Sequence, residues 1–282
     1  MTSIKKVAVI GTGVIGTGWI IRYLAHNKIV YAFDKNLKLN KKLLSEIKRT
    51  WPFVKKLFNK KKLNLKNFKY FTSIEEALKD ADFVQECASE NYALKTKLMN
   101  LIGKHTKPNA IISSSSSGLL PTKIYSKCKN PERTIIGHPF NPVYLLPAVE
   151  IVPGKKTSKK YLNKAKKFYR SISMNPIMVK HELPGYLSDR LQEALWREGL
   201  HIINEGHAST KDLDRAIEDG PGLRWSLMGT FLTFHLAGGK AGMRHMLEQF
   251  GPALKLPWTK LRAPTLSNKL IDRLVKGTKK QS

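Results

Sequence analysis

Two groups of residues in this chain have the types and spacing that chemistry requires. The first is Gly11-Thr12-Gly13-Val14-Ile15-Gly16, which follows the apolar run 4–10 and precedes, by 18 residues, Asp34 at the end of a second apolar run, 29–33. Gly11 permits a tight turn, Gly13 lets the backbone approach a pyrophosphate, and Gly16 lets helix and strand pack closely. A helix opened by Val14 and Ile15 then aims unpaired N–H groups and its positive dipole end at phosphates. The G-x-G-x-x-G pattern alone is weak, but strand, glycines, helix, strand and acid in this order are the context it needs. Asp34 suits ribose hydroxyls and repels a 2′-phosphate, which favours NAD over NADP; Lys35 and Lys38 soften that preference.

The second group suits proton transfer beside such a cofactor. His138 ends a predicted strand and runs into the rigid turn Pro139-Phe140-Asn141-Pro142, and Glu150 follows twelve residues later on the predicted return strand. Loss of hydride from a carbinol carbon requires that the hydroxyl proton be taken. A neutral imidazole does this near its ordinary pKa of about 6.5. A carboxylate on the far ring nitrogen would fix the tautomer and balance the imidazolium. Five serines, 113–117, place hydroxyl donors at the end of another strand, the edge where open α/β sheets bind ligands.

The elements that must position these groups alternate through the first two-thirds of the chain. Strands are predicted at 68–71, 82–87, 110–113, 135–138 and 149–152, with helices between them, a capping box at Ser73 to Glu76 and a basic helix at 158–171. This βα alternation predicts an α/β fold, a doubly wound Rossmann-type, mostly parallel sheet. Past the linker 181–185 strand signals vanish. Residues 186–206 carry Leu187, Leu191, Leu195 and Ile202 on one helical face, a capped helix is predicted from Ser209, and at least three more helices follow. The expected division is a dinucleotide-binding domain over 1–182, carrying the His and Glu, and an all-helical domain over 183–282.

Composition bounds the rest. The chain has 282 residues with 41% hydrophobic content, enough for a sizeable core, and no run long and apolar enough for a membrane span. Two cysteines, Cys87 and Cys128, argue against a disulfide framework or a structural metal and fit a reducing compartment, so a cytoplasmic protein without a metal is expected. The net charge of +29 raises the question of nucleic acid. Yet only 11 of the 50 basic residues are Arg, and the basic runs 35–69 and 155–180 have amphipathic helical spacing. Solvated Lys-rich helix faces, not specific nucleic-acid binding, are the reading.

With these residues in view, the sequence resembles the 3-hydroxyacyl-CoA dehydrogenase superfamily along nearly its whole length. Ser117, His138 in Gly137-His138-Pro139-Phe140-Asn141-Pro142, and Glu150 in Ala148-Val149-Glu150-Ile151-Val152 match that family's catalytic Ser, His and Glu. The resemblance also implies that Glu90 and Lys95 lie on the nicotinamide side of the cofactor. Pro184-Gly185-Tyr186-Leu187-Ser188-Asp189-Arg190 is similar to the family's P-G-F-x-x-N-R, with Asp189 where Asn is usual. Residues 220–239 and 249–261 resemble the carnitine dehydrogenase branch of the superfamily. That implies NAD-dependent oxidation of a 3-hydroxy acid bearing a trimethylammonium group, L-carnitine to 3-dehydrocarnitine, with His138 as base, and a homodimer. Aromatic faces bind such cations at about 0.5–2 kcal/mol each. Trp196, Trp225, Phe231 and Phe234 are the candidates, with Asp189 adding negative charge, Arg224 facing a carboxylate, and Asn141 a further substrate-side residue. Phe231 and Phe234 also fit an apolar core. The alternatives are another 3-hydroxy acid, such as a 3-hydroxyacyl-CoA or L-gulonate, or a dinucleotide-binding protein without turnover.

Overall fold

The computed structural model describes residues 4–60, 62–260, 265 and 267–272. The opening segment forms β1 (Lys6–Ile10), α1 (Val14–Ala25), β2 (Ile29–Phe33), α2 (Leu39–Leu57), β3 (Phe68–Phe71), α3 (Ile74–Leu78), β4 (Phe83–Glu86) and α4 (Tyr92–His105). It continues through β5 (Ile111–Ser114), α5 (Pro121–Ile124), β6 (Thr134–Pro139), β7 (Ala148–Pro153), α6 (Lys159–Ser171) and β8 (Asn175–Met178). One eight-stranded sheet has the order β3-β2-β1-β4-β5-β6-β7-β8. Strands β1 to β6 are mutually parallel, β7 is antiparallel to β6, and β8 is parallel to β7. The expected mostly parallel, doubly wound sheet is what forms.

β1 is apolar throughout its buried length because helices cover both faces of the sheet. Its side chains alternate. Val7 and Val9 pack in the layer of Trp19, Tyr23, Ile47 and Phe168, whereas Ala8 and Ile10 pack with Leu78, Met99 and Ile102. Arg22 of α1 is buried between elements, donating to the carbonyls of Val143, Leu146, Ile172 and Ser173. It thereby fastens α1 to the loop that follows His138. Burial pulls its guanidinium down to about 10.

Two details differ from the sequence reading. β8 falls inside the basic run where no strand was expected. It is a short edge strand containing Pro176, and an edge is where proline costs no ladder bond. At α3 Ser73 accepts from the Glu76 N–H, but the carboxylate that reaches back to the Ser73 hydroxyl is that of Glu75.

The chain divides into two compact units, Met1–Asp189 and Arg190–Ser282. Residues 186–188 are tied to the first unit by Tyr186 Oη on the Leu119 carbonyl and by two N–H groups on Glu150. α7 (Ser188–Glu205) starts there and leads into α8 (Thr210–Glu218), α9 (Pro221–Trp225), α10 (Thr230–Ala237) and α11 (Gly242–Phe250). The helical second domain and the capping box at Ser209, completed by Asp212, are as expected. Leu191 and Leu195 are exposed, however, and the buried residues of α7 are Leu200 and Ile203. Leu261 and, within the predicted segment 266–275, residues 266 and 273–275 lie outside the described residues.

Candidate active site

The glycine-rich turn has the geometry its residue types dictate. Gly11 stands at φ +96°, a conformation L side chains rarely adopt, and a Cβ on Gly16 would lie 1.9 Å from the Gly11 carbonyl oxygen. Gly13 begins α1 with no side-chain cap and no acid in the first turn, and a Cβ there would meet nothing within 4 Å. Unpaired N–H groups thus face open space, which fits an anionic pyrophosphate. Asp34, at the end of β2, accepts 3.1 Å bonds from both the N–H and the Oγ1 of Thr12, so its carboxylate is fixed beside the turn. A cavity of about 560 Å³ opens here, lined by Thr12, Gly13, Val14, Asp34, Lys42 and Asn141 among others. Asn141 therefore faces the same cavity as the glycine turn and Asp34.

The antiparallel pairing of β6 and β7 sets His138 directly opposite Glu150, which accounts for their twelve-residue spacing. His138 Nδ1 lies 2.9 Å from Glu150 Oε2, both side chains buried. A carboxylate only accepts, so Nδ1 carries the hydrogen and Nε2 is left as the proton acceptor. The other oxygen of Glu150 accepts 3.0 Å bonds from the N–H groups of Leu187 and Ser188, at the start of α7. Burial works to raise the Glu150 carboxyl. The His138 bond and these two N–H groups outweigh it and hold the group below the usual carboxylate range. The preceding corner is strained: Gly185 has φ +71° and Tyr186 φ +45°. The fully buried Tyr186 ring packs 5.7 Å from the His138 ring, centroid to centroid.

A buried ionic group organises the serine run. Lys95 of α4 is 1% exposed and places Nζ 2.9 and 3.0 Å from the two oxygens of Glu86, at the end of β4, and 3.0 Å from the Ala88 carbonyl. It also lies 3.5 Å from Glu90 Oε2. Glu90 in turn accepts from the Ser116 hydroxyl and from the N–H groups of Ser117, at 3.0 Å, and Gly118, at 3.3 Å. Lys95 thus reaches the serine loop through Glu90.

The sequence profile of the 3-hydroxyacyl-CoA dehydrogenase NAD binding domain matches residues 6–182, and that of the family's C-terminal domain matches 185–282. The chain belongs to the 3-hydroxyacyl-CoA dehydrogenase family. It is an NAD-dependent dehydrogenase, as the fit of its glycine turn and Asp34 requires. Within this family it is 51% identical over 273 residues to an L-carnitine dehydrogenase of Oceanobacillus iheyensis, covering 97% of this chain and 89% of that protein. It is 50% identical over 281 residues to an L-carnitine dehydrogenase of Pseudomonas putida, covering 100% of this chain and 88% of the relative. A crystal structure of the (S)-3-hydroxybutyryl-CoA dehydrogenase of Ralstonia eutropha superposes with a TM-score of 0.72 at 24% identity, covering 98% of this chain and 95% of that one. At that identity the likeness concerns the fold.

His138 and Glu150 form one buried pair, and the Ser117 N–H is held by Glu90. Asp189 Oδ2 lies 3.8 Å from His138 Nε2. Trp196, Arg224, Trp225, Phe231 and Phe234 belong to the second compact unit. There all five are exposed, so Phe231 and Phe234 are not the core residues that the apolar pattern of α10 also allowed. Among the described residues no cluster of His, Cys, Asp or Glu could hold a metal. Three structural contributors were missed. Glu86 was signalled by an acid ending the buried strand 83–86. Thr12 and Tyr186 carry no sequence signal beyond their neighbours in each motif.

Proposed function

We propose that this dehydrogenase oxidises L-carnitine to 3-dehydrocarnitine. The observation that carries the reading is the identity of about one half, over essentially the whole chain, with relatives named L-carnitine dehydrogenase. The His138–Glu150 pair supplies compatible chemistry. NAD, when bound, supplies the acceptor for the hydride that leaves C3. His138 Nε2 takes the hydroxyl proton as the carbonyl forms. Glu150 keeps the imidazole in the Nδ1–H tautomer and balances the imidazolium that results. Ser117 bonds the substrate oxygen, and Glu90, together with Lys95, holds the serine backbone on the nicotinamide side. Gly11, Gly13, Val14, Ile15 and Gly16 seat the pyrophosphate and Asp34 the ribose. Arg224 and the aromatics Trp196, Trp225, Phe231 and Phe234 contact the two ends of the substrate.

The same reading makes the enzyme a cytoplasmic homodimer with a small-molecule substrate and no specific nucleic-acid partner. Two free cysteines suit a reducing compartment, and no helix among the described residues is long and apolar enough to cross a membrane. The positive charge is concentrated on Lys-rich helices such as α2 and α6, whose lysines are largely exposed. The test is NADH formation followed spectrophotometrically with L-carnitine, 3-hydroxybutyryl-CoA and L-gulonate. kcat/KM should be highest for L-carnitine. A higher value for either competitor would replace the substrate, and no NADH formation with any of them would leave a dinucleotide-binding protein without this activity.

A further inference from the structure

A fully buried amide bridges two strands that are not neighbours. Gln85 lies on β4 and Gly137 on β6, with β5 between them in the sheet. Gln85 Nε2 nevertheless donates to the Gly137 carbonyl at 3.3 Å and to Ser115 Oγ at 2.7 Å. Its Oε1 accepts from Tyr169 Oη at 2.8 Å and from Tyr23 Oη at 3.2 Å. Burial pushes both phenols far above their ordinary range, so they remain donors. Ser113 Oγ lies 2.8 Å from Tyr169 Oη and completes the group. Two bonds given and two accepted fix the orientation of the amide, because turning it over would set Oε1 against the Gly137 carbonyl.

A buried polar group of this kind costs stability unless every member is satisfied, and an aliphatic side chain would fill the same space. What the network joins explains why it is polar. At one end, Ser115 Oγ also accepts from Trp19 Nε1 of α1 at 3.1 Å and lies 3.3 Å from Cys87 Sγ. The glycine turn opens α1, and the Cys87 carbonyl backs that turn, 2.8 Å from where a Cβ on Gly11 would stand. At the other end is the residue immediately before His138. Gly137 is itself shaped to the network: a Cβ there would stand 1.9 Å from Tyr169 Oη and 2.5 Å from Ser113 Oγ.

Hydride and proton leave one carbinol group, so the seat of the cofactor and the base must keep a fixed separation. Ladder bonds fix each strand only to its neighbour, whereas the chain from Trp19 through Ser115 and Gln85 to Gly137 ties the two ends directly. We infer that Gln85 is a positioning residue for the reaction, holding His138 in register with the helix that seats the dinucleotide. The inference rests on the reading of His138 as the base, and not on which 3-hydroxy acid is oxidised.

The test is a kinetic cycle with NAD and the 3-hydroxy acid that the wild type oxidises fastest. Gln85→Met keeps the length of the side chain and removes its four bonds. It should lower kcat at least about fivefold and leave NADH affinity and substrate KM within about threefold, since misplacement acts on the transition state and not on binding. Ser115→Ala cuts the same chain at its junction and should also lower kcat at least about fivefold. The double variant should lie within about threefold of Gln85→Met, because a chain already broken is not broken again. NADH titration checks that the variants are folded; should Gln85→Met not fold, Ser115→Ala decides alone by the same split. Smaller losses of kcat in folded variants overturn the inference and leave a network that only stabilises the sheet. Losses that appear as weaker NADH binding overturn it too, as do losses that multiply in the double variant. His138→Gln is measured beside them. Turnover near wild type there removes the base and the inference with it, whereas a deep loss there with intact turnover in Gln85→Met strikes the inference alone.

Discussion

At the scale of single residues, the site depends on which ring nitrogen of His138 carries the proton, and Glu150 decides it. Glu150→Gln keeps the shape but removes the acceptor-only character of the group. It should lower kcat by about 10²-fold or more while leaving NADH affinity near wild type, measured by steady-state kinetics and fluorescence titration. The same substitution reports on stability. The folded Glu150 carboxyl is held below its unfolded value, so its contribution is fully present above the ordinary carboxylate range and is lost as pH falls through the folded value. Denaturant unfolding should place the variant about 2 kcal/mol below wild type at neutral pH. The gap should narrow as pH is lowered toward about 3. A gap that widens on acidification would contradict this sign. His138 and Asp34 were legible as positions because each lies at the end of a strand at the ligand-binding edge, and Glu150 because it follows on the return strand opposite His138. Lys95 was legible only as a position: the sequence cannot show that its ammonium turns inward to Glu86.

At the scale of elements, that buried pair fastens β4, α4 and the serine loop after β5 into one unit. Lys95→Met leaves the Glu86 carboxylate buried without its counter-charge and should cost about 3–5 kcal/mol in chemical unfolding. The double variant Lys95→Met/Glu86→Gln removes both charges and should recover a large part of that loss. Additive destabilisation in this cycle would mean that the two side chains do not act together. The strand and helix pattern of the first unit was readable because apolar runs and turn residues alternate cleanly. β8 was not, since a four-residue edge strand containing proline has neither a buried run nor strict alternation. The exposed face of α7 escaped for another reason. Periodicity reveals that leucines share a face but not what covers it.

At the scale of the molecule, the second unit exposes many large apolar side chains, and a contiguous patch of them would mark an interaction surface. Leu227, Phe231 and Leu254 are 84%, 81% and 82% exposed. Association of two chains through such residues is the expected outcome. Light scattering with size-exclusion chromatography should give twice the 31.9 kDa chain mass at micromolar concentration. A monomer under those conditions would contradict the dimer. The division into an α/β unit and a helical unit was visible in the loss of strand signals past the linker. Residues 186–188 read as helix, and periodicity does not show that they also serve as the clasp on Glu150.

The claim on which the whole account turns is that one imidazole takes the proton of the alcohol. The most direct measurement is kcat of His138→Gln at saturating NAD and L-carnitine, set beside its NADH dissociation constant. Turnover should fall by about 10²–10⁴-fold with cofactor affinity within about threefold of wild type. Turnover close to wild type with cofactor binding intact would take His138 out of the chemistry.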